Sequence, residues 1–364
     1  MGAAACRRDS HEGAAALPAG RGGSRVTDDA LVPDSSRAPG RSGSPRPSES
    51  LGPSGSPEPR RPSGSPRRSG SPGPSRSRVT EQGGGKRDIS RPPLPEPLPA
   101  PVVDNHCHLD IEDGNSWLDP ASALELASSV GVTRIVQIGC DLQGAAWAVK
   151  TAEEFDAIVA GVAIHPNEAP RVDADGGLDA GLAEIERLVL SSPRVRAVGE
   201  TGLDYFRTGV DGVAAQRRSF AAHIELAHRH DKTLVIHDRN AHDDVLAMLD
   251  EHGVPERTVL HCFSGDADFA RRCLDRGGYL SFAGTVTFKN AQDLRDALVI
   301  APLDRILVET DAPFLAPMPF RGRPNASYLI PTTVRAMAEV RGEDLEVLCT
   351  AINANTENAF GGRW

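Results

Sequence analysis

From Pro101 onward, short Val/Ile/Leu-rich runs alternate with longer segments whose apolar residues recur at helical spacing. The runs are Val102 to Leu109, Arg134 to Cys140, Ile158 to His165, Val195 to Leu203, Thr233 to His237, Thr258 to Phe263, Tyr279 to Val286 and Arg305 to Thr310. Each has the length of a strand and is too short for a buried helix. Between them lie helical segments such as Pro120 to Val130, where Asp119 supplies an N-cap and Pro120 the first helical position. Val213 to His230 places Phe220, Ile224 and Ala227 on one face. After the eighth run, Pro331 to Val340 and Leu345 to Ala359 supply closing helices. Strands alternating with helices imply a parallel sheet. Eight such units in about 260 residues predict an α/β fold of the closed (β/α)8 TIM-barrel type. An open doubly wound sheet fits less well, because it has fewer strands and often a Gly-x-Gly-x-x-Gly turn that this chain lacks.

The pattern is absent before Pro101. Residues 1–100 are dominated by Ser, Pro, Gly and Arg, and Ser-Gly-Ser-Pro recurs at Ser42, Ser54, Ser63 and Ser69 with uneven spacing. Uneven spacing excludes a solenoid, and so little apolar surface cannot offset the entropy of ordering the chain. The 364 residues therefore divide into a disordered arm, 1–100, and a barrel domain, 101–364. No stretch has the length and apolarity of a membrane span, and the arm lacks the apolar core of a secretion signal. A soluble cytoplasmic protein without a membrane partner is expected, and nothing in the sequence calls for an obligate protein partner. Cys6, Cys107, Cys140, Cys262, Cys273 and Cys349 include no Cys-x-x-Cys pair, so reduced thiols are expected.

Charge separates the two regions. The first 100 residues carry 16 basic and 10 acidic side chains, leaving 24 basic and 40 acidic beyond them. An acidic body argues against sequence-blind clamping of duplex phosphates, although bound cations could still create a small electropositive site.

In a barrel of this type, function collects at the C-terminal ends of the strands. Those ends carry His106 and His108 on the first strand, His165 on the third, Glu200 on the fourth, His237 on the fifth, His261 on the sixth and Asp311 after the eighth. The i, i+2 spacing of His106 and His108 aims both rings at one face, with Cys107 on the other. Two carboxylates among neutral imidazoles are costly to bury without a divalent cation. Leaving His165 aside, the other four histidines and two carboxylates exceed what one ion takes, whereas two ions bridged by Glu200 use all six and leave room for water and substrate. Asp110, two residues beyond His108, is expected to orient an imidazole.

Six ordered blocks carry a family resemblance. They are His106-Cys107-His108-Leu109-Asp110, Ala163-Ile164-His165-Pro166, Val198-Gly199-Glu200-Thr201-Gly202-Leu203-Asp204-Tyr205, Ile236-His237-Asp238-Arg239, His261-Cys262-Phe263-Ser264-Gly265 and Glu309-Thr310-Asp311-Ala312-Pro313, followed by Arg321-Gly322-Arg323. From about Val102 to Phe360 the chain resembles the TatD family of metal-dependent deoxyribonucleases, within the amidohydrolase-like barrels. The resemblance implies that His106, His108, Glu200 and Asp311 surround one metal, and Glu200, His237 and His261 the other. It further implies that His165, Arg239, Ser264, Arg321 and Arg323 face the substrate phosphate, and that Mg²⁺ supports activity. Asn105, Asn167 and Ala326-Ser327 depart from the family pattern, and none of them is a ligand position.

The expected chemistry is phosphodiester hydrolysis, in which a water activated by two divalent ions attacks phosphorus, Glu200 bridges the ions and Asp311 accepts the proton. One narrow mouth in an acidic surround admits a single-stranded DNA or RNA end more readily than the middle of a duplex, which favours 3′-exonuclease action. Four imidazoles also suit Zn²⁺, Mn²⁺ or Fe²⁺. Two readings compete: a related barrel hydrolase acting on amide, ester or lactone bonds, and a non-catalytic scaffold that binds nucleic acid through the basic arm. Related hydrolases often bridge their metals with a modified lysine, and here Glu200 holds that place with no lysine at any predicted strand end.

Overall fold

The computed structural model describes residues 73–77, 88–113 and 116–364, all within the compact unit Ser65–Trp364. Most of the predicted arm, and Cys6 with it, lies outside the described residues. The eight expected strands form one parallel sheet: β1 (Val102–Cys107), β2 (Val132–Gly139), β3 (Ile158–Val162), β4 (Val195–Asp204), β5 (Thr233–Arg239), β6 (Thr258–Leu260), β7 (Tyr279–Phe282) and β8 (Ile306–Val308). Each pairs with its neighbour in sequence. The ring closes where Cys107 bridges Ala312, Asp311 N–H donates to His106 O at 2.9 Å and His108 N–H to Ala312 O at 2.8 Å. Several apolar runs extend beyond their strands because the last residues leave the ladder to build the mouth: β3 stops at Val162 and β6 at Leu260, before their histidines.

The helices follow the same logic. Asp119 caps α1 (Pro120–Ser129) by accepting from Ser122 N–H, with Pro120 at its start. After α2 (Leu142–Glu154), α3 (Ala169–Ala174) and α4 (Leu178–Ser191), the segment with Phe220, Ile224 and Ala227 is α5 (Val213–Arg229), and all three are buried. The closing helices are Ile330–Arg341 and Leu345–Ala359.

Two apolar clusters divide the core. One fills the layer between strands and helices. The other, with Val136, Ile138, Val159, Ala197, Val235, Val259, Tyr279 and Leu307, lies inside the barrel and ends on Phe360 and Trp364. Counting in twos from these inner positions along a strand reaches the next inner side chain. Val235 leads to His237, Val259 to His261, Ile138 to Cys140 and Leu307 to Glu309 and Asp311. On β1 and β4 that count breaks at a bulge. Gly199 aligns with Val235 but Thr201 with Ile236, so Glu200 is the extra residue. Asp104 aligns with Ile135 and Cys107 with Gln137, which inserts one residue at Asn105-His106. A bulge re-aims the side chains that follow it. Thr201 accordingly faces His223 on α5 while Glu200 turns inward, and Cys107 packs in the outer layer while His106 meets His261.

The domain boundary differs from the one expected. Residues 88–100, assigned above to the arm, lie along the barrel: Leu98 is buried, Leu98 N–H donates to Val130 O, Tyr328 Oη to Pro92 O at 2.7 Å and Arg335 to Glu96 O and Pro97 O. Farther up the chain, Ser75 N–H donates to Asp110 O and Trp147 Nε1 to Gly73 O. Prolines that cannot form helix or central strand still pack well as an extended strap.

Candidate metal centre

The six predicted ligands meet at the barrel mouth, and Glu200, 3% exposed, is at their centre. Its two oxygens face different rings. Oε1 lies 2.6 Å from His237 Nδ1, 2.8 Å from His261 Nε2 and 3.2 Å from His165 Nε2. Oε2 lies 3.5 Å from His106 Nε2, 3.8 Å from His108 Nε2 and 3.4 Å from Cys140 Sγ. Asp311 Oδ1 is 3.2 Å from His108 Nε2 and 3.8 Å from His106 Nε2. Asp311 adopts a left-handed backbone (φ 54°), which aspartate tolerates better than most residues, and its N–H is fixed by His106 O.

The outward nitrogens sort the histidines. His108 Nδ1–H donates to Ile138 O at 3.0 Å, His261 Nδ1–H to Glu309 Oε1 at 3.1 Å and His237 Nε2–H to Asp204 Oδ2 at 3.2 Å. Each ring spends its hydrogen on a fixed acceptor and turns its other nitrogen to the centre, the arrangement of a metal-ligating imidazole. His165 is the reverse: its Nδ1 accepts from Asn167 N–H at 3.0 Å, so Nε2 carries the hydrogen. His165 thus sits within 4.8 Å of Glu200 and His237 as a donor, consistent with a substrate-facing part. Both ring nitrogens of His106 are buried without a hydrogen-bond partner, a costly state, and a bound cation would satisfy the one that faces Glu200 and Asp311, Nε2.

Electrostatics agree with that fit. Burial alone would raise the Glu200 carboxyl, but His261, His165 and His106 hold it well below the usual carboxylate range. Asp311 is likewise lowered, against burial, chiefly by His108. Burial pushes His261 down, yet Glu200 and Glu309 more than reverse it and raise the ring well above its ordinary value. His106 is lowered by burial and by His261, whose ring stacks on it at 3.8 Å. The carboxylates that favour a proton on His261 also favour a divalent ion beside it. The nitrogen and carboxylate donors suit Zn²⁺, Mn²⁺ or Fe²⁺ on softness, and three groups meet the spacing a metal needs: His106/His261/Asp311, His106/His108/Glu200 and His165/Glu200/His237.

The remaining expected substrate residues are exposed or half-buried. Arg239 lies over the Phe206 ring and Ser264 Oγ donates to Asp238 O at 3.3 Å. Arg321 lies over Phe288, whereas Arg323 donates to Ser90 and to Arg91 O in the strap. The Asp110 carboxylate accepts from Gln137 and Ser75, and Gln137 accepts Leu109 N–H. The orienting acids are Glu309 and Asp204. Their signal was in the sequence, since each is an acid on an apolar strand at an even step from a ligand position. Cys140, in reach of Glu200 and 3.7 Å from His108 Nδ1, was also missed; read as a buried thiol, it ends β2 as the histidines end their strands.

Residues 103–361 match the family model described as TatD related DNase. Over 267 residues the chain is 44% identical to a Mycobacterium tuberculosis protein named an uncharacterized metal-dependent hydrolase TatD, covering 72% of this chain and 99% of that one. It is 37% identical over 262 residues to the uncharacterized metal-dependent hydrolase YcfH of Escherichia coli, covering 71% and 95%. The crystal structure of YjjV, a TatD homolog from Escherichia coli, aligns with a TM-score of 0.66 at 28% identity over 72% of this chain and 98% of that one. With the ligand cluster in place, these matches make the chain a member of the TatD-related DNase family of metal-dependent hydrolases.

Proposed function

We propose that the protein is a two-ion phosphodiesterase that removes nucleotides from the 3′ end of single-stranded DNA or RNA. The observation that carries this reading is the split of Glu200, one oxygen toward His237 and His261 and the other toward His106 and His108, as a bridging carboxylate requires. Divalent ions held there would supply Lewis acidity, making water nucleophilic at neutral pH and screening charge on the phosphoryl oxygens. Asp311, kept anionic by His108, takes the proton of the attacking water. His165 donates its Nε2–H to a phosphoryl oxygen, and Asn167 N–H fixes that tautomer. Arg239, on the same strand face as His237, adds a positive charge at the rim. Glu309 and Asp204 keep His261 and His237 aimed as the charge distribution changes.

Among the described residues no helix is long and apolar enough to cross a membrane, and action in the cytoplasm without an obligate partner is part of the proposal. The test is product analysis on end-labelled single and double strands with Mg²⁺, Mn²⁺ or Zn²⁺, alongside metal analysis of the purified protein and a panel of esters and lactones. Stepwise shortening from the 3′ end is expected. Cleavage of lactones or esters with no action on nucleic acid would overturn the reading, and indifference to ends would overturn its exonuclease part.

A further inference from the structure

The loop after β4 carries two exposed apolar side chains, Phe206 at 61% and Val210 at 88% exposure. A single exposed apolar residue is ordinary on a protein surface. Phe206 differs in what surrounds it. The Arg239 guanidinium carbon lies 3.9 Å from the centre of its ring, covering one face. Arg239 is two residues beyond His237 on β5 and so on the same face of the strand, which brings its charge to the mouth. The loop is also tied to the metal centre: Asp204 Oδ1 accepts the N–H groups of Phe206 at 3.0 Å and Arg207 at 2.9 Å, while Oδ2 holds His237. A flat aromatic surface is therefore fixed, through one carboxylate, at a set distance from a ligand.

We propose that Phe206, backed by Arg239, is the stacking platform for the nucleobase beside the scissile phosphate. The inference rests on the phosphodiesterase reading and names the part of the substrate that this loop recognises. A base lying on the ring leaves its phosphate to Arg239 and to the donor of His165. Every base has a π face, so the platform accepts all four and requires only that a base be present. Single strands offer an unstacked terminal base, whereas a duplex end must first give up a pair.

The test pairs the wild type and Phe206→Ala with two single-stranded oligonucleotides, one ending in thymidine and one in an abasic residue, in the same metal-containing buffer. The wild type is expected to lose about tenfold in kcat/KM on the abasic end, mostly through KM. Phe206→Ala is expected to lose about as much on the thymidine end and nothing further on the abasic one, and Phe206→Trp to restore the preference. Equal losses by Phe206→Ala on both substrates would overturn the proposal, since the ring would then act without the base. A 3′-terminal 2-aminopurine read by fluorescence separates this from failure of the phosphodiesterase reading. If no end is cleaved but wild-type protein quenches the probe and Phe206→Ala does not, the platform stands without that activity. If wild-type protein does not quench it, the platform falls.

Discussion

Glu309 Oε1 accepts the Nδ1–H of His261 at 3.1 Å, and the far nitrogen of the same ring lies 2.8 Å from Glu200. Glu309 is fully buried, also accepts Cys262 N–H and is bonded by Ser281 Oγ, so its carboxylate has little freedom to move. Glu309→Gln keeps an acceptor in place but removes the negative charge behind the ring. Metal affinity is expected to fall by about 10- to 100-fold. A competition titration with a chromophoric chelator measures it, and an unchanged dissociation constant would assign Glu309 to packing alone.

Glu200→Ala removes the one group that faces both sets of imidazoles. Hydrolysis is expected to be abolished and the metal content of the purified variant to drop, while the far-ultraviolet circular dichroism of the barrel persists. Retention of two ions and of turnover would exclude a bridging role.

The fold was legible because each strand is an apolar run of the right length between helical segments, and the ligands because each is a polar residue ending such a run. What the sequence did not carry is which way those residues face. By strict alternation from Ala197, Glu200 would point outward, and a bulge that no residue type announces turns it in. The same holds for His106. The strap was hidden for a different reason: Pro92 to Pro97 has the composition of a disordered segment, and what ties the strap down is the burial of Leu98 and the acceptors it offers to Arg323, Tyr328 and Arg335. The tautomer that sets His165 apart from the ligands depends on a backbone N–H two residues away, which needs the turn to be seen.

The strap has a measurable contribution. Leu98 is 8% exposed and packs against the outer core, so Leu98→Ala is expected to cost about 2–3 kcal/mol. Truncation before Asp88 should leave chemical denaturation close to that of the full chain, and truncation before Pro101 should lower the midpoint clearly. Equal midpoints for the two truncations would show that residues 88–100 do not contribute to folding.

His223 supplies a pH prediction outside the metal centre. It is fully buried between α5 and β4, with Nδ1 donating to Ser219 O at 2.7 Å and Nε2 accepting Ile164 N–H at 3.3 Å. Burial lowers its pKa to about 4 from the ordinary 6.5. Between those values the unfolded chain binds a proton that the folded chain refuses, so stability falls as pH drops from 6.5 to about 4 and this contribution levels off below. The full contribution is about 3 kcal/mol. His223→Gln should flatten the slope of unfolding free energy against pH across that window, relative to wild type under the same conditions. A parallel pair of curves would mean that His223 is not the group responsible.

Gly202 ties the backbone directly to the site. Its φ is +137°, and a Cβ placed there would lie 2.1 Å from the carbonyl oxygen of His237, which is backbone and cannot swing aside. Gly202 pairs with His237 in the β4–β5 register, so relief of the clash must part the two strands at the point where Glu200 and His237 meet. Gly202→Ala is therefore expected to cost about 1–3 kcal/mol from backbone strain alone. It should also weaken metal binding, because His237 moves with its own carbonyl while Glu200 stays on the other strand. Thermal unfolding and the chelator titration read the two effects separately. A variant that lost stability but held its ions at wild-type affinity would show that β4 and β5 can separate without disturbing the ligands.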